Sequence, residues 1–108
     1  MSLDFNRDFI KHPAATFYAK VIGQSMEGAG INSGDIIVVD RALEPRNGDI
    51  VVACINGEFT MKYIDLTQKE KGIVVLRPDN EKYEPIYMRE GDQLMIWGVV
   101  SNVIKRFR

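Results

Sequence analysis

Two residues in this 108-residue sequence have types and settings that suit acyl-transfer chemistry, a serine and a lysine. The serine, Ser25, lies near the start of a glycine-rich segment that contains Gly23, Gly28 and Gly30 and is flanked by two apolar runs. Glycines let the backbone adopt positive φ and come close to a bound chain. A small nucleophile beside free backbone N–H groups is what acyl transfer needs, because those groups can face a developing oxyanion. A serine in such a loop is by itself usually a turn residue, so the interpretation depends on finding a base for Ser25.

The position of the lysine, Lys62, follows from a predicted hairpin. Asn56-Gly57 between two apolar runs predicts a type I′ turn that joins strands at residues 50–55 and 58–64. A two-residue turn fixes the register, so Val51 is expected to face Lys62 across the hairpin. Alternation along the strands then places Lys62 on a largely apolar face.

Two interpretations of Lys62 follow from that position. It can be an edge-strand lysine whose ammonium group reaches water. It can also be a desolvated lysine, because burial disfavours the charged form and a neutral amine is a competent general base for a serine. Thr60 shares the predicted face and could hydrogen-bond the amine, although strand propensity is its default role.

Other catalytic chemistries find little support in the sequence. His12 and Cys54 are the only soft metal-ligand candidates and have no ligand spacing, so we expect no metal and no cofactor. A Ser-His-Asp triad would have to use His12, which lies in the N-terminal segment. Cys54 has the setting of a small core residue. The carboxylates near the apolar runs have the setting of turn or strand-end residues: Asp35, Asp40, Asp49 and Asp65.

Length and composition restrict the fold and the classes of function. A chain of 108 residues has room for a single compact core. Its formal net charge of −1 argues against strong nonspecific nucleic-acid binding, and we expect no direct specific DNA binding. The one cysteine excludes an internal disulfide and is typical of a reducing compartment, which predicts a cytoplasmic location. No apolar run approaches the roughly 20 residues of a membrane span.

Short apolar runs separated by Gly, Asn, Asp and Pro predict a mainly β domain over residues 17–108. Pro85 indicates an edge strand, and Gly98 indicates a bend or bulge in the last strand, with Trp97 as a core or interface anchor. Besides the hairpin, strands are predicted at residues 17–22, 35–40, 72–76, 83–88 and 94–105.

Residues 1–16 carry scattered apolar side chains without a persistent period. This pattern predicts a flexible N-terminal arm with a helical turn at residues 5–11. Met1-Ser2-Leu3 is typical of a vector-derived start, so we expect the natural chain to begin elsewhere.

In order and spacing, the motifs around Ser25 and Lys62 resemble the LexA/UmuD group of Ser-Lys self-cleaving proteins. The resemblance covers residues 12–108, and the segment 10–16 is most similar to the UmuD-like branch of the group. The matching motifs are Gly23-Gln24-Ser25-Met26, Gly30-Ile31, Gly34-Asp35, Asp40, Gly48-Asp49-Ile50-Val51-Val52, Gly57-Glu58-Phe59-Thr60-Met61-Lys62, Leu76-Arg77-Pro78-Asp79-Asn80 with Tyr83, and Trp97-Gly98-Val99-Val100.

The resemblance implies a fold, a site and partners. The fold would be a curled, antiparallel β assembly shared with the LexA C-terminal domain and distantly with signal peptidase. Ser25 would be the nucleophile and Lys62 the general base, with Gln24 and Met26 supporting the oxyanion loop around Ser25. Proteins of the group cleave their own N-terminal arm when a RecA–single-stranded-DNA filament stimulates them in the SOS response to DNA damage. The processed homodimer then joins a Y-family polymerase for translesion synthesis.

The sequence departs from the group at the cleavage site. The group cuts a Cys-Gly or Ala-Gly bond upstream of the serine, and residues 1–22 contain neither dipeptide. Ala29-Gly30 lies inside the serine's own loop and is discounted as a substrate. We therefore expect the processed form, or a chain cut near that point, which would act in trans on a full-length copy of itself.

Two alternative functions stay open on the sequence. The chain can be the C-terminal self-cleavage and dimerisation domain of a LexA-like transcriptional repressor, which a helix-turn-helix segment upstream would reveal. It can also be a non-enzymatic dimeric interaction module. Residues that could supply an apolar dimer surface, although core packing is their default role, are Trp97, Val99, Val103 and Ile104.

Overall fold

A computed structural model of the chain describes residues 2–108; Met1, part of the predicted vector-derived start, lies outside the described residues. The strands are β1 Thr16–Lys20, β2 Ile36–Asp40, β3 Ile50–Ile55, β4 Glu58–Asp65, β5 Ile73–Arg77, β6 Ile86–Arg89 and β7 Leu94–Ile104. They form one seven-stranded sheet in the order β1-β2-β7-β3-β4-β5-β6, and every neighbouring pair is antiparallel. The predicted mainly β, antiparallel fold is therefore confirmed.

The β3–β4 hairpin has the predicted register, with Val51 opposite Lys62 and Ala53 opposite Thr60. Asn56 has a φ of 50° and Gly57 a φ of 85°. A type I′ turn requires positive φ at both central positions, and asparagine and glycine adopt it most readily. The two turn residues therefore fix which residues of β4 face β3.

The last strand contains the predicted bulge. Opposite β3, the register of β7 shifts so that Val52 pairs with Gly98 and Ala53 with Ile96. Trp97 is thus the extra residue on β7, directly before Gly98. The strand β6 lies at the edge of the sheet and begins just after Pro85, as predicted.

Each face of the sheet packs on its own apolar cluster. One cluster contains Val51, Ala53, Ile64, Leu76, Met88 and Val99. The other contains Val21, Met26, Ile31, Ile37 and Val39. The second cluster takes three of its members from the segment between β1 and β2, so this segment covers that face. Met26 is only 1% exposed, and burying a side chain of its size contributes about 1.5–3 kcal/mol.

The N-terminal segment carries a short helix and then contacts the sheet. The helix α1, Phe5–Phe9, lies within the predicted helical turn and is capped by Asp4, which accepts a hydrogen bond from the Arg7 N–H. Farther on, Ile10 is buried, and His12 Nδ1 lies 2.6 Å from Asp40 Oδ2. The segment is therefore attached to β2 before β1 begins, and the division into an arm and a domain stays a prediction.

The ring of Trp97 packs between two other aromatic rings, one from β1 and one from β4. Its ring centroid lies 5.2 Å from that of Phe17 and 6.2 Å from that of Phe59. Among the other residues of the predicted apolar dimer surface, Val99 is a buried core residue, whereas Ile104 is exposed. No helix within residues 2–108 combines the length and the apolar character that crossing a membrane would take.

Candidate active site

Ser25 lies in the connection between β1 and β2, here called the Ser25 loop (residues 23–30). Gly23 and Gly30 adopt positive φ, 108° and 78°, as the glycine-rich sequence suggested. Gly28 is a glycine for another reason, because an added Cβ would lie 2.2 Å from Asp79 Oδ1 and 2.7 Å from the Asp79 carbonyl oxygen. From the sequence, the loop glycines were expected to let the backbone come close to a bound chain. At Gly28 the close neighbour is instead Asp79 of the same chain.

Lys62 lies on a part of β4 that has a strand neighbour on one side only. Within the described residues, β5 pairs with β4 only at Tyr63, Ile64 and Asp65. The preceding residues of β4 pair with β3 alone, and the Ser25 loop lies against their open side. The Ser25 hydroxyl lies 3.3 Å from the Met61 carbonyl oxygen.

The structure brings the two predicted catalytic side chains together. Lys62 Nζ lies 3.0 Å from Ser25 Oγ, within hydrogen-bonding distance. The same nitrogen lies 2.7 Å from Thr60 Oγ1 and 3.2 Å from the Met61 carbonyl oxygen. A nucleophile and a base within about 2.6–3.2 Å of each other form the arrangement expected for an activated serine.

Burial sets the charge preference of Lys62. The residue is 6% exposed, and burial lowers the pKa of its amine below the ordinary value. None of the ion pairs within residues 2–108 includes Lys62. The interpretation of Lys62 as an edge lysine that reaches water is therefore wrong, and the desolvated interpretation agrees with its position.

The three contacts of Lys62 also suit a neutral amine. Such an amine has two N–H groups and one lone pair. Thr60 Oγ1 and the Met61 carbonyl oxygen can accept the two N–H groups. The lone pair then faces Ser25 Oγ, which can donate its hydroxyl proton. In this state Lys62 is oriented to receive the serine proton. Thr60 therefore contacts the amine in addition to suiting the strand.

Gln24 and Met26, the predicted supporting residues, flank Ser25 in different settings. Met26 is buried and fixes the loop to the apolar cluster beneath it. Gln24 is exposed, and its carbonyl oxygen accepts a hydrogen bond of 2.8 Å from Asn80 Nδ2. Among residues 2–108, no backbone carbonyl accepts a hydrogen bond from the N–H of Ser25 or of Met26.

An apolar cleft of about 550 Å³ opens beside Ser25. Its lining residues come from β1 and the Ser25 loop and from β2, β3, β4 and β7. Its apolar lining includes Val21, Ile37, Val39, Val52, Met61 and Trp97. The cleft has the size and the character to take apolar side chains of a peptide.

The other residues that the sequence analysis considered for catalysis or metal binding lie outside the Ser25–Lys62 site. His12 contacts Asp40 and not Ser25, and Cys54 is a half-buried free thiol on β3. In the part of the chain that the structure describes, no three His, Cys, Asp or Glu side chains are placed to hold a metal ion. The carboxylates predicted as turn or strand-end residues have those roles: Asp35, Asp49 and Asp65 accept backbone N–H groups nearby, and Asp40 ends β2.

Sequence reasoning assigned no role to the turn that follows β5. Asp79 N–H donates to the Ser25 carbonyl oxygen at 2.7 Å, and Gly28 N–H donates to the Asp79 carbonyl oxygen at 2.6 Å. Tyr63 donates its hydroxyl to Asp79 Oδ2 at 2.9 Å. The Pro78-Asp79-Asn80 motif signalled a turn at this place, but no local pattern indicated that the turn contacts Ser25.

Comparison with known proteins adds an independent observation. A family model described as Peptidase S24-like matches residues 1–101. Protein SamA of Salmonella typhimurium is 43% identical over 106 residues, which cover 98% of this chain and 71% of SamA. Protein ImpA of Escherichia coli is 43% identical over 108 residues, which cover 98% of this chain and 70% of ImpA. A LexA repressor of Hahella chejuensis is 41% identical over 95 residues, which cover 87% of this chain and 46% of the repressor. The chain therefore belongs to the peptidase S24-like family, as its motifs around Ser25 and Lys62 predicted.

Proposed function

We propose that this chain is a UmuD-like serine peptidase in which Ser25 is the nucleophile and Lys62 is the general base. One observation carries the proposal: a lysine that is 6% exposed and forms no ion pair within residues 2–108 has its Nζ 3.0 Å from Ser25 Oγ. Membership of the peptidase S24-like family agrees with this assignment. A desolvated amine next to a hydroxyl is a recognised means of activating a nucleophile.

The first half of the reaction forms an acyl-enzyme. Ser25 Oγ attacks the carbonyl carbon of the scissile bond while Lys62 Nζ takes the hydroxyl proton. The tetrahedral oxyanion accepts hydrogen bonds from the backbone N–H groups of Ser25 and Met26. Lys62 then returns the proton to the leaving amine, the C–N bond breaks, and the N-terminal side of the substrate stays esterified to Ser25.

The second half uses the same groups. Lys62, neutral again, takes a proton from a water molecule whose oxygen attacks the ester carbonyl. The ester bond to Ser25 breaks, and the oxygen of Ser25 regains its proton from Lys62. The products are a carboxylate and a free amine, and both catalytic residues return to their starting state.

We propose that the substrate is the N-terminal segment of a full-length copy of the protein. The apolar cleft beside Ser25 suits an extended, apolar peptide. Residues 1–22 lack the Cys-Gly and Ala-Gly dipeptides that the family resemblance implies as cleavage sites, so this chain would act in trans.

The biological role follows from the UmuD-like resemblance, with SamA and ImpA as relatives over nearly the whole chain. We propose that a RecA–single-stranded-DNA filament stimulates the cleavage in the cytoplasm during the SOS response. The processed homodimer then serves as the accessory subunit of a Y-family translesion polymerase. Co-purification of the dimer with such a polymerase is the direct measurement of this part.

The cleavage is tested with a separate substrate protein. Full-length ImpA whose own nucleophilic serine is replaced by alanine is incubated with this chain, with and without a RecA filament, and a shortened product is followed by mass spectrometry. We expect product, and we expect Ser25→Ala and Lys62→Ala to lower its rate by roughly 10³-fold or more. The matched controls are Ser33→Ala and Lys82→Ala, which change an exposed serine and an exposed lysine.

The outcome separates the enzyme from its alternatives. Undiminished cleavage by the Lys62→Ala protein would eliminate the lysine as the base. No cleavage by the wild-type chain, together with binding to a polymerase, would favour the non-enzymatic interaction module.

A LexA-like repressor remains the second candidate because the Hahella chejuensis repressor matches 87% of this chain. The catalytic assignment is the same in that case, but the parent protein would bind an operator. The full-length gene decides between the two, since a helix-turn-helix segment upstream would identify a repressor.

A further inference from the structure

Three hydrogen bonds join the turn after β5, here called the clamp turn (residues 78–80), to the backbone around Ser25. Asp79 N–H donates to the Ser25 carbonyl oxygen at 2.7 Å, and Gly28 N–H donates to the Asp79 carbonyl oxygen at 2.6 Å. Asn80 Nδ2 donates to the Gln24 carbonyl oxygen at 2.8 Å. The clamp turn thus contacts the residue before Ser25, Ser25 itself and a residue after it.

A fourth hydrogen bond joins the clamp turn to the strand that carries Lys62. Tyr63, the next residue along β4, donates its hydroxyl to Asp79 Oδ2 at 2.9 Å. Burial and this hydrogen bond to the carboxylate raise the pKa of Tyr63, which keeps its hydroxyl protonated as a donor. Asp79 therefore contacts the Ser25 loop through its backbone and β4 through its side chain.

The packing at Gly28 supports a rigid connection. An alanine Cβ at this position would lie 2.7 Å from the Asp79 carbonyl oxygen, which is a backbone atom and cannot rotate away. The loop and the clamp turn are therefore in backbone contact, and a shift of Asp79 would move both flanks of Ser25.

Such a connection matters because the serine and the lysine come from different elements. Ser25 lies on a glycine-containing loop, whereas Lys62 lies on a strand whose register the hairpin fixes. A displacement of about 1 Å between reacting groups can cost about 10²-fold in rate. The clamp turn is hydrogen-bonded to Ser25 itself and to Tyr63, the residue that follows Lys62.

We propose that Asp79 and Tyr63 are positioning residues, which hold Ser25 at the correct distance from Lys62 through the clamp turn. The inference rests on the proposed function of Ser25 and Lys62 and assigns to the same site a support that acts through backbone contacts. Neither residue touches the reacting atoms, so their loss lowers the rate without removing the reaction.

The variants isolate the Tyr63–Asp79 hydrogen bond. Tyr63→Phe removes the donor, and Asp79→Ala removes the acceptor. Asp79→Asn keeps an oxygen acceptor in a turn-compatible side chain and is the conservative rescue. Tyr83→Phe removes the hydroxyl of an exposed tyrosine in the neighbouring segment and is the matched control.

The measurement is the rate at which a fluorophosphonate probe labels Ser25, followed by mass spectrometry from pH 6 to pH 11 with a melting curve for each variant. We expect Tyr63→Phe and Asp79→Ala each to lower the plateau rate about tenfold, with the pH midpoint unchanged because Lys62 keeps its surroundings. Asp79→Asn and the Tyr83→Phe control stay within about twofold of wild type. The double variant of Tyr63 and Asp79 is no slower than the single variants, since both act through one contact.

Each result has a distinct meaning. Wild-type rates for Tyr63→Phe and Asp79→Ala, with labelling lost in Lys62→Ala, would refute the positioning role and leave the catalytic pair intact. A rate for Asp79→Asn as low as that for Asp79→Ala would also refute it. Labelling that does not depend on Lys62 would refute the proposed function itself. If Asp79→Ala does not fold, Tyr63→Phe and Asp79→Asn still decide the question.

Discussion

Replacing Lys62 by methionine should change how the stability of the protein depends on pH. Methionine has a similar length and no charge, so the substitution removes the buried amine and leaves the packing nearly intact. The lost hydrogen bonds to Thr60 and Met61 shift the stability by an amount that does not vary with pH. The part of the stability difference that varies with pH comes from the protonation of Lys62 in the wild type.

The sign follows from the direction of the pKa shift. Burial lowers the pKa of Lys62 in the folded protein, whereas the unfolded chain has a lysine pKa of about 10.4. Between these two values the unfolded chain binds more protons than the folded one. The free energy of unfolding of the wild type therefore rises with pH across this window and is level above it. Each unit by which burial lowers the pKa corresponds to about 1.4 kcal/mol.

The assay is urea denaturation of the wild type and of Lys62→Met from pH 6 to pH 11. The quantity of interest is the difference between the two free energies of unfolding at each pH. It should shift in favour of the wild type by up to about 1.4 kcal/mol per pH unit within the window. The exposed lysine Lys82 supplies the control, and the difference between the wild type and Lys82→Met should stay constant.

Two results would refute this reasoning. A difference between wild type and Lys62→Met that does not change with pH would mean that the amine is not desolvated. A pH midpoint of Ser25 labelling that disagrees with the pH at which the stability difference begins to rise would mean that another group is the base.

Two further predictions concern the contacts around the site. Gly28→Ala should lower peptidase activity about tenfold or more, because the new methyl group would displace the Asp79 backbone. The control variant Glu27→Ala should leave the activity unchanged. Equal activity of the two variants would contradict this prediction. Burial is the largest single influence on Asp40 and opposes its ionisation, but the hydrogen bonds from His12 and from the Ala42 N–H together outweigh burial and lower the pKa, so its stabilisation is lost as the pH falls. As the pH falls below the ordinary carboxyl pKa of about 3.9, urea denaturation should therefore show a steeper loss of stability for the wild type than for Asp40→Asn, and parallel curves would exclude this role.

Local sequence patterns determined the hairpin and therefore the position of Lys62. Asn56-Gly57 allows the type I′ turn, this turn fixes the register, and the register places Lys62 opposite Val51. The same kind of local rule predicted the bulge beside Gly98 and the edge strand after Pro85. These features depend on backbone conformations that a few adjacent residues specify.

The tertiary structure alone decided whether Lys62 is desolvated. From the residues alone, the edge lysine in water was the default interpretation and the buried amine the alternative. The choice depends on where pairing between β4 and β5 stops and on which segment covers the open side of β4. Both are contacts between residues far apart in the chain, and no local pattern encodes them.

The contact between the Ser25 loop and Asp79 is the second feature that only the tertiary structure decided. Gly28 and the turn after β5 were visible in the sequence as a glycine and a turn motif, without any sign that they meet. Four strands, β2 to β5, separate residues 28 and 79 in the chain, so their contact depends on how those strands are arranged. The sequence determined which residues could do chemistry, and the folded sheet determined the distances between them, because those distances depend on packing between distant segments.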